Sequence, residues 1–135
     1  RRRATMGLIH CDLFRDNVLW EGDRLVAILD FEQSSGGSLA YDLAVCLNDW
    51  CWCDGAKPDL AAALIAGYER ERPLTKGDRE ALPIEVRAAA ARFTITRITD
   101  VYLARVENPE KDFRAFLARC EAWRGPALAQ ILSSP

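Results

Sequence analysis

The sequence predicts an α+β domain, predominantly α, in which one small β-hairpin is followed by a series of helices. Two observations carry this. Val18-Leu19-Trp20 and Leu25 to Leu29 are apolar, partly β-branched runs on either side of the polar turn Glu21-Gly22-Asp23-Arg24, the pattern of a hairpin. From Leu39 onward, apolar residues recur every three or four positions, the spacing of amphipathic helices. A third, the length of 135 residues with 50% hydrophobic composition, suits a single unit with a sizeable core. Residues 1–135 are therefore expected to form one domain, with no internal repeat or dividing linker.

The elements follow in order. Leu8-Ile9 is too short to define a strand alone. Both hairpin runs are apolar on successive residues, so both faces of the ribbon are expected to be covered. A lone two-stranded ribbon is marginal in water, so it should lie against helices. Ser34-Ser35-Gly36-Gly37-Ser38 reads as a flexible, substrate-side loop. Leu43, Cys46, Leu47 and Trp50 form the stripe of a first helix, and Pro58-Asp59 opens a second that runs from Leu60 through Tyr68. The longest stripe is Ile84, Ala88, Ala91, Ile95, Ile98, Tyr102 and Val106. Asn108 is placed as the cap of a further helix, with Pro109 at its first position and Phe113, Phe116, Leu117 and Cys120 along it. Gly125-Pro126 separates a last short helix ending near Leu132.

Composition removes several function classes. Eighteen Lys+Arg stand against 20 Asp+Glu, a net charge of −2, and the only basic run is Arg1-Arg2-Arg3. Phosphate-backbone affinity comes from clustered cations, so no nucleic-acid partner is expected. The longest apolar stretch, Leu60 to Ala66, is far shorter than the about 20 residues of a membrane span, so no membrane partner is expected either. Cys11, Cys46, Cys51, Cys53 and Cys120 are odd in number and lack C-x-x-C spacing. They read as reduced, mostly buried thiols, with Cys51-Trp52-Cys53 in helix, and they favour a cytoplasmic location.

The chemistry is concentrated before residue 43. His10, Asp12 and Asn17 stand in the order H-x-D-x-x-x-x-N directly ahead of the hairpin, and Asp30-Phe31 closes its second strand. A kinase catalytic loop and the metal-binding strand end after it have this arrangement. An Asp and an Asn five residues apart on a tight loop can face the same phosphates. One accepts a proton while the other offers a neutral amide oxygen to a cation. The hairpin returns the chain so that Asp30 reaches the same ion, and oxygen-only donors suit Mg²⁺. His10 is expected to hydrogen-bond the loop backbone.

The segment Gly7 to Trp20 resembles the catalytic loop of the aminoglycoside phosphotransferase and choline kinase superfamily. Leu39 to Trp50 and Ala90 to Asp100 are similar to segments of the homoserine kinases within it. The resemblance covers nearly all 135 residues and implies the large, C-terminal lobe of a protein-kinase-like fold. It implies Asp12 as the base that accepts the proton of an attacking hydroxyl. It gives Asn17 and Asp30 as the residues that hold Mg²⁺ against ATP phosphates, and Asp42 as a brace of the catalytic loop. The implied reaction is ATP-dependent phosphorylation of L-homoserine. Arg15 stands where many relatives have Pro, and Asp30-Phe31-Glu32 is worded more like the kinases of aminoglycosides, choline or other small alcohols, which remain the alternative acceptors. A non-catalytic binding module is the alternative of another class.

Other residues are weaker candidates. Asn48, Asp49 and Arg97 could bind the charged groups of a small substrate. Arg92 and Arg97 could equally pair with Asp100 or Glu85, and Trp50 and Trp52 are expected to straddle their helix. Ser34 and Ser38 have no histidine left to activate them as nucleophiles. No glycine-rich phosphate loop or paired strand lysine precedes His10. The chain is thus expected to be the large lobe without its nucleotide-clamping partner and inactive alone. It should also expose an apolar patch near Val18, Trp20 and Val26 that favours self-association.

Overall fold

The computed structural model describes residues 3–106, 108 and 111–133. Four short strands, β1 (Met6–Ile9), β2 (Val18–Glu21), β3 (Arg24–Ile28) and β4 (Ser35–Ser38), precede five helices: α1 (Leu39–Trp50), α2 (Pro58–Glu71), α3 (Lys76–Arg97), α4 (Phe113–Ala122) and α5 (Ala127–Ser133). The architecture is the predominantly helical α+β one that the sequence predicts. Strands β2 and β3 form the antiparallel hairpin, with Val18 opposite Ile28 and Glu21 opposite Arg24. Gly22, at φ 59°, takes the left-handed conformation that its turn requires.

The serine-glycine segment is not a loop. Ser35–Ser38 is β4, paired antiparallel with Met6–Ile9. A Cβ on Gly37 would collide with the Ile9 side chain, so the glycine that suggests a turn leaves the room that the Ile9 side chain occupies across the strand pair. The β2–β3 ribbon also departs from expectation. Val18 is buried, but Leu19, Trp20, Leu25, Val26, Ile28 and Leu29 are each 40–51% exposed. Val18 is buried at the base of the ribbon, and toward the turn the Trp20 ring meets Trp50 of α1 edge-on at 6.3 Å. The expected exposed patch therefore contains Trp20 and Val26 but not Val18.

The core lies where α1 and α4 pack on α3. Leu43, Ala44 and Leu47 of α1 meet Leu82, Val86, Ala89, Ala90 and Phe93 of α3, with Phe116 and Trp123 closing the far side. The buried face of α3 is thus not the stripe of Ile84, Ala88 and Ile95. Ile84 is 60% and Ile95 61% exposed, because this helix carries apolar side chains around most of its circumference. Its end continues as a π-helical turn, Ile98–Leu103.

Three further expectations are corrected. The cap of α4 is Asp112, whose carboxylate accepts the Arg114 N–H at 2.9 Å. The Asn108 carbonyl accepts the Lys111 N–H at 3.1 Å, and Pro109 lies outside the described residues. Cys51-Trp52-Cys53 follows α1 as a turn and an isolated bridge rather than as helix. All five cysteines are free, but only Cys46 and Cys51 are buried. Burial pushes the Cys46 thiol up to about 12 and the Cys51 thiol up to about 11, so both behave as small apolar groups. Among the described residues, no helix is long and apolar enough to cross a membrane.

Candidate active site

The loop between β1 and β2 is held from several directions. Asp42, in the first turn of α1, accepts the His10 N–H at 2.7 Å on one oxygen and the Cys11 N–H at 2.8 Å on the other. Cys11 itself sits at φ 70°, a conformation that a non-glycine residue keeps only where its surroundings enforce it. His10 is buried, and its Nδ1 accepts the Asp12 N–H at 3.3 Å. That leaves Nε2–H to donate to the Leu29 carbonyl at 2.7 Å. The imidazole thus joins the loop to the end of β3, and the Phe31 ring packs against it at 4.7 Å. Phe14 anchors the middle of the loop in the core, 4.6 Å from Phe93 and 5.8 Å from Phe116 between ring centroids.

Asn17 turns its amide nitrogen inward, donating to the Asp12 carbonyl at 2.7 Å and lying 3.5 Å from the Asp12 carboxylate. Its side-chain oxygen is left for another partner. The Leu29 N–H donates to the Asn17 carbonyl at 2.9 Å, which places Asp30 immediately beyond the loop. Asp30 takes a left-handed conformation, φ 60°, and starts the tight turn Phe31–Gln33. Asp12, Asn17 and Asp30 line one cavity of about 490 Å³, together with Arg92, Arg97 and Lys111. Burial raises the Asp12 carboxyl above its ordinary value. The positive charge of Arg92 opposes that shift, while Asp30 and Asp16 reinforce it.

The donors suit a hard cation. One amide oxygen and one carboxylate face a common space, and no group of three or more His, Cys, Asp or Glu able to hold a metal occurs among the described residues. Such a site needs phosphate oxygens to complete it, as Mg²⁺ sites commonly do. A larger hollow, about 660 Å³ beside Tyr102 and Phe113, contains none of the loop's groups.

The weaker candidates separate. Arg97 lines the cavity, stacked 4.2 Å over Phe116, and donates to the Asp112 carbonyl at 3.3 Å. Asn48 does not reach the cavity: it is fully buried between α1 and α3, donating to the Ala44 and Val86 carbonyls at 3.0 and 2.8 Å. Asp49 is also elsewhere, accepting from the Arg15 backbone and side chain at 2.9 and 3.2 Å with Arg119 at 4.0 Å. Trp50 and Trp52 are both half-buried. Among the described residues neither Arg92 nor Arg97 forms an ion pair, with Asp100, Glu85 or any other carboxylate. Sequence reasoning missed Gln33, Tyr41 and Lys111. It also missed the role of Asp78, whose Thr75-x-x-Asp78 spacing is a legible capping signal.

A family model described as "Phosphotransferase enzyme family" matches residues 1–82. The chain is 54% identical over 96 residues to a homoserine kinase of Methylobacterium radiotolerans, covering 70% of this chain and 30% of that protein. It is 46% identical over 100 residues to a homoserine kinase of Nitrobacter hamburgensis, covering 70% and 29%. Over 125 residues it is 41% identical to a homoserine kinase of Rhodopseudomonas palustris (strain HaA2), covering 84% and 37%. The chain therefore spans about a third of the length of the curated relatives it matches.

Proposed function

Because the chain belongs to the phosphotransferase enzyme family, we propose that its cavity transfers the γ-phosphoryl group of ATP to the hydroxyl of L-homoserine. The observation that carries the reaction is the convergence of Asp12, Asn17 and Asp30 on one space, with Asn17 hydrogen-bonded to Asp12. The acceptor follows from the relatives, which are homoserine kinases.

In this reading Asp12 accepts the proton of the attacking hydroxyl, a task for a carboxylate held against one face of the cavity. Asn17 and Asp30 offer the protein oxygens for Mg²⁺, which when bound supplies positive charge to the nucleotide phosphates. Asp42 and His10 keep the loop in register, and Arg97 is the group placed to meet a substrate carboxylate. Asn48 and Asp49 are given no part, since Asn48 is spent on interior carbonyls and Asp49 on Arg15 and Arg119. ATP and Mg²⁺ are thus the proposed cofactors and homoserine the proposed partner. The matched stretch is 29–37% of each of these relatives, and we assign turnover to the large lobe working with a nucleotide-clamping lobe. We place the protein in the cytoplasm, and the exposed hairpin ring of Trp20 with Val26 as a surface for self-association.

The test uses a chimaera in which this chain replaces the corresponding stretch of the Methylobacterium radiotolerans homoserine kinase. Offered homoserine, choline and an aminoglycoside with Mg-ATP, it should release ADP fastest with homoserine. Faster turnover of either competitor would defeat the assignment. In the same chimaera, Asp30→Ala should remove Mg²⁺-dependent turnover more completely than Asn17→Ala, because it deletes a charge and not only a dipole. Mg²⁺ titrations of both variants measure this, and an unaltered Asp30→Ala titration would contradict the metal assignment.

A further inference from the structure

We propose that Arg92 of α3 is a positioning residue for the site, a clamp that holds the Asp12 side of the cavity in register with the Asp30 side. The inference rests on the phosphoryl-transfer reading above. Arg92 Nη1 donates to the Cys11 carbonyl at 2.7 Å and lies 3.4 Å from the Tyr41 hydroxyl of α1. Its Nη2 lies 3.5 Å from Oε1 of Gln33, in the turn that Asp30 starts. One planar group therefore meets the residue before Asp12, the first helix and the segment after Asp30.

The loop needs such a clamp. Asp42 secures the N–H groups of His10 and Cys11, which fixes one side of a backbone that Cys11 bends into the left-handed region. The carbonyl of Cys11 accepts instead from Arg92. Without that bond the peptide joining Cys11 to Asp12 keeps only the 3.3 Å bond from the Asp12 N–H to His10 Nδ1, so it can tilt and carry the Asp12 carboxylate with it. The guanidinium lies 4.7 Å over the Phe93 ring, and Phe93 is a core residue of a 22-residue helix, so the clamp is mounted on a rigid support. The forked geometry matters: an ammonium is a point donor and cannot span the carbonyl, the phenol and the amide together.

The experiment compares Arg92→Met and Arg92→Lys with Arg87→Met, an exposed arginine of the same helix, in two settings. In the chimaera, Arg92→Met should lower kcat by about 10–100-fold while KM for homoserine moves less than about threefold. Arg92→Lys should recover part of kcat, and Arg87→Met should leave it unchanged. In residues 1–135 alone, ¹⁵N amide resonances of Cys11, Asp12 and Asn17 should shift in Arg92→Met and stay in place in Arg87→Met. Unchanged kcat in Arg92→Met, a loss no greater than that of Arg87→Met, or unmoved loop amides would overturn the clamp. A parent chimaera inactive on homoserine would count against the functional reading, and the amide shifts would then decide the clamp independently.

Discussion

Asp12→Asn, introduced into the chimaera, should lower turnover by about 10²–10⁴-fold, the range for removal of a general base, while leaving nucleotide affinity close to the parent's. The substitution keeps the shape of the side chain. The bond from Asn17 reaches the backbone carbonyl of residue 12, and the N–H of residue 12 meets the His10 ring, so the loop geometry survives the change. What disappears is the acceptor for the hydroxyl proton. Asn17 and Asp30 are untouched, so the cation and phosphates keep their protein ligands. Steady-state turnover with a separate nucleotide-binding titration distinguishes the two effects. Near-normal turnover would remove Asp12 as the base, and parallel loss of nucleotide affinity would make its role one of binding.

Asp78→Ala should destabilise the fold by about 3–5 kcal/mol, the cost of removing one partner from a buried charged network. Asp78 is fully buried at the start of α3. It accepts from the Thr5 N–H and hydroxyl at 2.7 and 3.0 Å, from the Thr75 N–H and hydroxyl at 3.0 and 2.8 Å, and from Arg72 at 3.3 Å. Thr75 returns the favour as the helix cap. The same carboxylate therefore closes the helix end and fastens the residue before β1, which leads straight into the His10 loop. Burial pushes the carboxyl upward, but the bonds from Thr5 and Thr75 outweigh it and hold it down to about 2, against an ordinary 3.8. The unfolded chain thus takes up this proton first as pH falls. The stabilisation, about 2.5 kcal/mol at 1.36 kcal/mol per unit, is complete above about pH 5. It erodes through pH 4 to 2 and is gone below. In urea melts across this range the gap between parent and variant should narrow by about 2.5 kcal/mol toward the acid end. A constant difference down to pH 2 would contradict the assignment.

The site was legible in the sequence where it is local and obscure where it is not. His10, Asp12 and Asn17 lie within one turn-forming segment, and Asp30 follows a hairpin whose turn is written in Glu21-Gly22-Asp23-Arg24, so spacing alone brings them together. Arg92 meets Cys11 across 81 residues, and no periodicity records such a contact. The face of α3 was misread for a related reason. Ile84, Ile95, Leu82, Val86 and Phe93 all satisfy a helical apolar pattern, and only packing against α1 and α4 selects the last three. Asn48 reads as a candidate substrate ligand until Ala44 and Val86 supply carbonyls for its amide in the interior. Composition marks Ser34 to Ser38 as a loop because glycine serves turns and close strand packing alike.

The most direct test of the central claim is ³¹P NMR of the product formed when the chimaera carrying this chain meets Mg-ATP and L-homoserine. The account predicts a phosphate monoester on the homoserine hydroxyl, formed one for one with ADP and lost in Asp12→Asn. ADP accompanied only by inorganic phosphate, or an ester yield that Asp12→Asn leaves unchanged, would contradict it.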